Sequence, residues 1–391
     1  MDKKVVLFVS HSSGLYGAER SLFSLVEGLD AKGYIKPVVL LPTNGPLYDL
    51  LTNAGIQVII HRYYWWIGKK NRIIKGAACF LFNLASLITI KNVLIKNIRP
   101  DIIYSNTLAI PFGAMISLLL RKPHIWHARE FIHEDMNLEY FFGTNLSMAF
   151  ISKASVKVIC NSIAVKKKLE KKIEKSKLIV IYNGFKFNIQ NSLIGKIRYE
   201  QCIVKKKVIK LLILGELRPG KGQEDAIKAL QKLLLINNNI ELNIVGSGSD
   251  EYINFLKSLA KCLNVDNKIV WQGFVYDSNM YFRDAAIVLL CSRSEAFGRV
   301  AVEAMASGVP VVGTISGGLP EIIINNVTGL LYNPGDHDML AAQIEKLIKN
   351  KELYEKCSVQ GQKHVVAKFG IEDYIQNVLN VINKTGKEFV S

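Results

Sequence analysis

The sequence predicts an α/β protein made of two doubly wound domains. Short apolar runs of strand length alternate with longer amphipathic stretches in both halves of the chain, a pattern typical of parallel sheets covered by helices on both faces. The length of 391 residues exceeds one ordinary domain and fits two. With 49% hydrophobic and 21% charged residues, the composition is that of a globular protein.

The strand-length runs are the first elements that the pattern predicts. In the first half they are residues 5–10, 37–41, 57–60, 101–105, 124–127, 156–160 and 178–182. In the second half they are residues 208–214, 241–245, 268–271, 287–290 and 309–312. Amphipathic helices fill the intervals, and three consecutive helices are predicted at 339–349, 351–369 and 372–384.

Domain boundaries follow from a break in this alternation. Residues 186–207 are polar and basic with weak periodicity, so we predict a linker there. The N-terminal domain is then 1–185 and the C-terminal domain 208–370. The last segment, 371–391, is expected to be a helix that crosses back to the first domain.

The net charge of +17 is concentrated in the first half. Residues 51–100 contain eight basic residues and no acidic one, and they include the aromatic run Tyr63 to Trp66. Positive charge beside aromatic side chains predicts peripheral contact with an anionic membrane, although an uninformative basic surface gives the same pattern. No motif indicates nucleic-acid binding.

The remaining bulk features favour a cytoplasmic protein. The six cysteines are scattered singly, without a CxxC pair or histidine partners at zinc spacing. The first apolar run, Val5 to Val9, is too short for a signal peptide. We also expect no transmembrane helix, because the longest uncharged stretches are 76–90, which is short, and 102–120, which contains Pro111.

The most informative segment is 292–312, which predicts a loop, a helix and a strand after the strand 287–290. Glu295 lies in the loop and Glu303 about two helical turns further on, so two carboxylates can contact one elongated ligand at different depths. The backbone N–H groups of Phe297, Gly298 and Arg299 open the helix, where a diphosphate would be favoured. Taken alone, the two glutamates could equally be a helix cap and a solvated side chain.

This segment, with EAFG before the helix and EAMASGVPVV within and after it, resembles the retaining nucleotide-sugar glycosyltransferases of family 4. Further likenesses are GGLPEII at 317–323, TGLL at 328–331, VGSG at 245–248 and WQGF at 271–274. In the N-terminal half they are GLYGAER at 14–20, ICNS at 159–162 and YNGF at 182–185. The resemblance covers nearly the whole chain.

The resemblance implies a GT-B fold, in which two Rossmann-like domains face each other across an interdomain cleft. The N-terminal domain would bind the acceptor and the C-terminal domain the nucleotide sugar. Glu303 would hold the ribose hydroxyls, Glu295 would hold hydroxyls of the transferred sugar, and Phe297 with Gly298 would line the diphosphate.

A second loop, 215–222, follows the strand 208–214 and enters a helix. Its glycines, N–H groups and cations suit phosphates, and Lys221 would neutralise a departing diphosphate. The family most often places Arg directly after the first glycine, whereas this chain has Glu216 there; Arg218 is the candidate substitute. We expect Gly215, and Gly246 of the VGSG turn, to let the backbone approach the donor.

Three N-terminal residues complete the candidate site. Gly14 and Gly17 follow the first strand and would let the backbone approach the leaving phosphates, although a lone G-x-x-G is weak evidence. His127 ends a predicted strand, where ligands gather in such folds, and it resembles the family's histidine near the transferred sugar.

Other chemistries fit less well. Asp336-His337-Asp338 matches a DxD metal motif but precedes a helix, so we expect a capping role. No metal and no cofactor is expected. The sequence has no G-x-G-x-x-G dehydrogenase fingerprint, no G-x-S-x-G elbow and no P-loop.

The predicted function is retaining transfer of a hexose or related sugar from a nucleotide diphosphate sugar. The acceptor would be a glycan or a polyprenyl-diphosphate-linked glycan, as in bacterial surface polysaccharide synthesis. A nucleotide-sugar epimerase or phosphorylase on the same fold, and a catalytically silent nucleotide-sugar-binding scaffold, stay open as alternatives.

Overall fold

The computed structural model describes residues 3–70, 72–188, 194–206 and 208–388, and the side chains of Asp135, Met136, Lys387 and Glu388 are not described. The chain divides into two compact units. The first comprises Met1–Lys186 with Phe369–Ser391, and the second comprises Phe187–Lys368.

The first unit is built on a seven-stranded parallel sheet with a separate two-stranded antiparallel pair. Its strands are β1 Lys4–Val9, β2 Ile35–Leu41, β3 Gln57–Ile60, β4 Ile67–Gly68, β5 Ile102–Ser105, β6 His124–Ala128, β7 Glu139–Tyr140, β8 Lys157–Cys160 and β9 Leu178–Val180. Its helices in this part of the chain are α1 Gly17–Ala31, α2 Pro46–Asn53, α3 Ile73–Val93, α4 Phe112–Leu120, α5 Ile132–Met136, α6 Thr144–Ala154 and α7 Ile163–Leu169.

The strand order of the large sheet is β3-β2-β1-β5-β6-β8-β9, so the winding reverses between β1 and β5. Alternate residues of β1 serve the two faces: Phe8 packs in the core cluster that also contains residues of α1 and α2, whereas Leu7 packs in the cluster that contains residues of α3 and α4. A parallel sheet covered on both faces needs such uninterrupted apolar strands.

Helix α3 is longer than the apolar stretch that the sequence analysis identified. It runs into a π-helical turn, Leu94–Ile98. Together they form a 26-residue helix, Ile73–Ile98, which among the described residues is long and apolar enough to cross a membrane. The expectation of no such helix counted only the uncharged stretch 76–90, whereas the helix continues through Lys75, Lys91 and Lys96.

The second unit has a six-stranded parallel sheet of order β12-β11-β10-β13-β14-β15. Its strands are β10 Ile209–Leu214, β11 Ile240–Val245, β12 Ile269–Gly273, β13 Ile287–Leu290, β14 Val311–Thr314 and β15 Leu330–Tyr332. Its helices are α8 Gly195–Tyr199, α9 Gln223–Leu234, α10 Asp250–Cys262, α11 Asn279–Asp284, α12 Arg299–Ala306, α13 Leu319–Ile322, α14 His337–Lys349 and α15 Lys351–Lys368.

One segment differs from the predicted organisation. Residues 195–204, expected in the linker, form α8 and a π-helical turn that belong to the second unit. Arg198 holds them there because its buried guanidinium donates to the backbone carbonyls of Phe282, Ala285 and Ser307. Residues 189–193 and 207 of the predicted linker lie outside the described residues.

The last helix, α16 Ile371–Glu388, clusters with the first unit. It packs against α1 so closely that a Cβ built on Gly28 would lie 2.1 Å from Ile375 Cδ1. A residue larger than glycine at position 28 would force the Ile375 side chain to move.

Candidate functional site

The candidate site residues of the second unit lie where the strand order of its sheet reverses. Strands β10 and β13 are neighbours in the sheet, and the winding continues from them in opposite directions. The loop after β10 carries Lys221 and the loop after β13 carries Glu295. Such a reversal opens a crevice beyond the carboxyl ends of the strands, and ligands of doubly wound domains bind there.

Lys221 and Glu295 meet across this reversal. Lys221 Nζ lies 2.7 Å from Glu295 Oε2, and the Ser292 hydroxyl donates to the same oxygen at 3.0 Å. Glu295 Oε1 makes no hydrogen bond to a described residue. Both side chains are about a fifth exposed, at 23% and 21%, so a ligand can reach them.

The charge state of Glu295 follows from these contacts. Burial alone would raise the pKa of its carboxyl, but the Lys221 ammonium, the Ser292 hydroxyl and the more distant Arg218 together hold that pKa below its usual value. Glu295 is therefore ionised at neutral pH, and it can accept hydrogen bonds but cannot donate a proton.

Helix α12 carries the second carboxylate of the predicted pair. Arg299 Nη2 lies 2.9 Å from Glu303 Oε1, one helical turn further on. Gly298 precedes the helix in the left-handed region at φ 108°, where a side chain would be strained. The Phe297 ring is buried, so this residue can offer a ligand its backbone and not its ring.

The phosphate-suited loop is shaped by glycines at its base. A Cβ built on Gly246 would lie 1.8 Å from the Gly215 carbonyl oxygen. Any side chain at position 246 would therefore push the loop after β11 away from the loop after β10. Within the loop, Arg218 Nε contacts Glu216 Oε2 at 2.9 Å. A phosphate that binds Arg218 must therefore compete with the Glu216 carboxylate.

Arg293 and Asp225 are site-supporting residues that the sequence analysis missed. The Arg293 guanidinium forms a two-pronged contact with the buried Asp225 carboxylate on α9, one prong at 2.8 Å, and the Arg293 N–H donates to the Gly220 carbonyl at 2.7 Å. These bonds tie the Glu295 loop to the Lys221 loop. The partners are 68 positions apart in the sequence, so no local pattern indicated their pairing.

Residues 336–338 are not a metal cluster. Asp336 Oδ1 accepts the Met339 N–H at 2.8 Å and caps α14, which confirms the predicted capping role. Asp338 pairs with Lys232. Among the described residues, no group of three His, Cys, Asp or Glu side chains is arranged to hold a metal ion.

In the first unit the predicted residues also lie at the carboxyl edge of the sheet. Gly14 precedes α1 and Gly17 is its first residue. A neighbouring residue, Glu19, was not predicted: its fully buried carboxylate accepts from the Ser12 hydroxyl, lies 3.1 Å from His11 Nε2, and keeps one buried oxygen, Oε2, without a described partner.

His127 is fully buried near the end of β6. Its Nδ1 lies 2.6 Å from the Tyr104 hydroxyl, and its Nε2 has no hydrogen-bond partner among the described residues. Burial, with the nearby Arg129 charge, holds the pKa of His127 well below its usual value, so the ring is neutral.

Arg129, two residues after His127, is the polar hub of this edge. Its guanidinium donates to Asn106 at 2.8 Å, to Asn183 at 2.6 Å and to the Tyr374 hydroxyl of α16 at 2.9 Å. The sequence analysis quoted the WHARE run but assigned Arg129 no role, because its three partners come from distant segments.

Comparison with known proteins agrees with this arrangement. Residues 16–187 match the Glycosyltransferase Family 4 model, and residues 199–364 match the model for glycosyl transferases group 1. An uncharacterized glycosyltransferase of Methanocaldococcus jannaschii is 32% identical over 234 residues, which is 57% of this chain and 59% of that protein. This match therefore spans less than two thirds of the archaeal protein.

Two other similarities extend over more of the chain. A capsular polysaccharide biosynthesis glycosyltransferase of Staphylococcus aureus, CapM, is 24% identical over 74% of this chain and 78% of its own length. The crystal structure of Anabaena HepE in complex with UDP and glucose shares the fold, with a TM-score of 0.79 and 24% identity over 97% of this chain and 100% of HepE. The chain is a glycosyltransferase of the family 4 type with the two-domain GT-B fold.

Proposed function

We propose that the protein transfers a hexose or related sugar, with retention of configuration, from a nucleotide diphosphate sugar to a glycan or polyprenyl-diphosphate-linked acceptor in bacterial surface polysaccharide synthesis. The observation that carries the proposal is the Lys221–Glu295 contact at the reversal of the second sheet. In this contact a cation suited to phosphate lies beside an ionised carboxylate suited to accept hydrogen bonds from sugar hydroxyls.

Several observations support a nucleotide-sugar donor. Glu303, on the helix that follows the Glu295 loop, is suited to ribose hydroxyls, and the first-turn N–H groups of α12 are suited to a diphosphate. HepE, which shares the fold, holds UDP and glucose in its crystal structure. The name of the CapM relative connects that protein with capsular polysaccharide.

In the proposed reaction the bond between the anomeric carbon and the diphosphate oxygen breaks, and a bond from the acceptor hydroxyl oxygen forms on the same face of the sugar. The acceptor proton passes to the leaving phosphate. Lys221, Arg218 and backbone N–H groups stabilise the negative charge that develops on the diphosphate. Because these groups supply positive charge, we propose that the reaction needs no metal ion and no cofactor.

The acceptor side of the proposal concerns the first unit. His127 Nε2 has no hydrogen-bond partner in the described part of the chain, and Gly14 and Gly17 allow backbone approach near β1. The basic surface of this unit is the reason to propose a lipid-linked acceptor and a cytoplasmic enzyme in peripheral contact with an anionic membrane.

A donor panel tests the proposal. Purified protein would be incubated with UDP-, GDP- and ADP-sugars, with and without EDTA, while nucleotide release and calorimetric binding are measured. We expect selective binding of one donor that EDTA does not alter. Product formed without any acceptor would indicate an epimerase instead, and binding without turnover on any acceptor would indicate a silent scaffold.

A matched pair of variants connects the result to the site. Glu303→Gln should weaken donor binding about tenfold, because a charge-assisted hydrogen bond to ribose is lost. Glu352→Gln changes a glutamate on the exposed start of α15 and should leave donor binding unchanged. Equal donor affinity in both variants would contradict the assignment of Glu303.

A further inference from the structure

Helix α3 carries a row of exposed apolar side chains on the first unit. Ile74, Leu81, Ile88 and Ile95 are spaced by seven residues, which places them on one side of a helix. Ile74 is 88% exposed, Ile88 is 74% exposed and Leu81 is 64% exposed. We call this side, from Ile74 to Ile95, the α3 face. Folded proteins rarely leave such a contiguous stripe in water without a partner.

The opposite side of α3 is anchored in the first unit. Asn83 accepts the Tyr64 N–H at 2.8 Å and donates to the Tyr64 carbonyl at 3.0 Å. Leu87 and Ile90 are buried in the core cluster beneath the helix. Inserting α3 across a bilayer would break these contacts, so the helix is a fixed part of the domain surface.

Basic residues flank the α3 face at both ends. Lys69, Lys70, Arg72 and Lys75 are exposed at its beginning and Lys91 and Lys96 at its end. Residues 51–100 contain no acidic residue. An apolar stripe between cations is complementary to a surface that has an apolar interior and anionic headgroups.

Aromatic rings extend the stripe sideways. Phe80 is 41% exposed and contacts Phe142 edge-to-face, with ring centroids 5.8 Å apart. Phe142 follows β7, and Leu146 of α6 is also exposed. The apolar surface thus reaches beyond one helix to a broader area of the first unit.

We infer that the α3 face is a membrane-binding surface, on which the helix lies in the plane of an anionic lipid bilayer and does not cross it. The inference gives the proposed membrane contact a specific surface, and it rests on that part of the proposed function and not on the donor chemistry. A second copy of the chain fits the surface less well, because pairing two α3 faces would bring two basic borders together.

The test uses the full-length protein and vesicles of phosphatidylcholine with or without phosphatidylglycerol. We expect flotation with anionic vesicles that decreases as salt is raised. Ile74→Ser/Leu81→Ser/Ile88→Ser should lower vesicle partition by more than about tenfold, because the apolar area that enters the bilayer is removed. Lys69→Gln/Lys70→Gln/Lys75→Gln should lower it by about fivefold per charge.

The matched control changes three exposed apolar residues of the second unit, Leu235→Ser/Ile236→Ser/Phe255→Ser. This variant should float like the unmodified protein. Circular dichroism and donor binding verify that each variant is folded. Equal flotation of the α3 variant and the control would overturn the inference.

Two further measurements test whether α3 spans the membrane and whether a second copy of the chain covers the α3 face. An alkaline carbonate wash should release the protein from membranes, and resistance to it would overturn the inference in favour of a spanning helix. A concentration-dependent dimer that the α3 variant abolishes, without vesicle binding by the unmodified protein, would overturn it in favour of a second copy. Glu303→Gln should bind vesicles normally, so a failed donor assignment leaves this test intact.

Discussion

The carboxyl edges of the two sheets both carry buried polar networks, but their chemistry differs. In the second unit the central pair, Lys221 and Glu295, is charged and about a fifth exposed. In the first unit Glu19 and His127 are fully buried, and Arg129 is hydrogen-bonded to neutral amides and a tyrosine hydroxyl. The edge of the second unit has charged groups that a ligand can contact. At the edge of the first unit, the charged groups are buried and bonded to other residues of the protein.

Under the proposed function, this difference separates two tasks of a transferase. A diphosphate leaving group needs positive charge that is held in place before the reaction, as the contact with Glu295 holds Lys221. A surface that positions a neutral hydroxyl needs hydrogen-bonding groups in a defined protonation state, as burial and Arg129 provide at His127. We therefore expect substitutions in the second unit to affect turnover most strongly.

The largest effect should come from Lys221→Ala. Removing the cation withdraws stabilisation from the departing diphosphate, and loss of one such donor lowers kcat by about 10²- to 10³-fold. Steady-state kinetics with the donor that the panel selects would measure it. Lys221→Arg keeps the charge and should retain more activity. A kcat for Lys221→Ala within twofold of the unmodified enzyme would be incompatible with this role.

The second prediction concerns stability of the first unit against acid. Burial lowers the pKa of His124 from 6.5 to about 3. Below pH 6.5 the unfolded chain therefore binds a proton that the folded chain does not, and stability falls as pH decreases. Between pH 6.5 and pH 5 this histidine should account for a loss of about 2 kcal/mol.

Chemical unfolding followed by tryptophan fluorescence measures this loss, because Trp65, Trp66 and Trp126 all lie in the first unit. His124→Gln should flatten the pH dependence in that window. His337→Gln, in the second unit, is the control for loss of a histidine. If the unmodified protein and His124→Gln lost equal stability on acidification, the buried neutral state of His124 would be refuted.

A third prediction concerns the tautomer of His127. Among the described residues, the Tyr104 hydroxyl forms a hydrogen bond with His127 Nδ1 at 2.6 Å. A hydroxyl hydrogen that is buried needs an acceptor, so Tyr104 donates, Nδ1 accepts, and the ring proton lies on Nε2. Nε2 can then donate a hydrogen bond to a hydroxyl oxygen of either substrate, the acceptor or the nucleotide sugar.

Tyr104→Phe keeps the ring but removes this donor, so the proton can move to Nδ1. We expect a loss of about tenfold in kcat/KM. Nitrogen-15 shifts of labelled histidine separate this role from a packing effect: the unmodified protein should show a protonated Nε2, and the variant a mixture. A protonated Nδ1 in the unmodified protein would reverse the assignment.

Much of this architecture was predictable because it depends on local patterns. The apolar runs located all twelve predicted strands, and the predicted two-domain α/β fold is confirmed. The three-residue strand β15 and the two-residue strands β4 and β7 were missed, since they are too short to show a period of two. The Glu295 and Lys221 loops were found because each follows a buried strand.

What was missed depends on partners that are remote in sequence or on exposure. Arg293 and Arg129 look like ordinary surface cations in the sequence, and their carboxylate or amide partners become neighbours only in the folded sheet. The α3 face was missed for another reason. Apolar residues predict burial, and in so apolar a helix no polar side marks which residues face away from the protein.

The smallest expected effect concerns Glu216, an exposed carboxylate at the edge of the second sheet. Glu216 is 59% exposed and pairs with Arg218 at the phosphate-suited loop. Glu216→Gln releases Arg218 and removes a negative charge beside the expected diphosphate. An exposed ion pair contributes at most about 1 kcal/mol, so donor affinity should rise only about two- to fivefold.

Calorimetric titration with the donor at two salt concentrations measures this gain, which should shrink at high salt because exposed charges are screened. Arg218→Gln is the matched variant and should weaken the donor by a similar factor. In the double variant the gain from Glu216→Gln should disappear, since there is no Arg218 to release. A gain that persisted in the double variant would show that Glu216 repels the diphosphate directly. It would also show that Arg218 does not replace the arginine that the family usually places one residue after the first glycine.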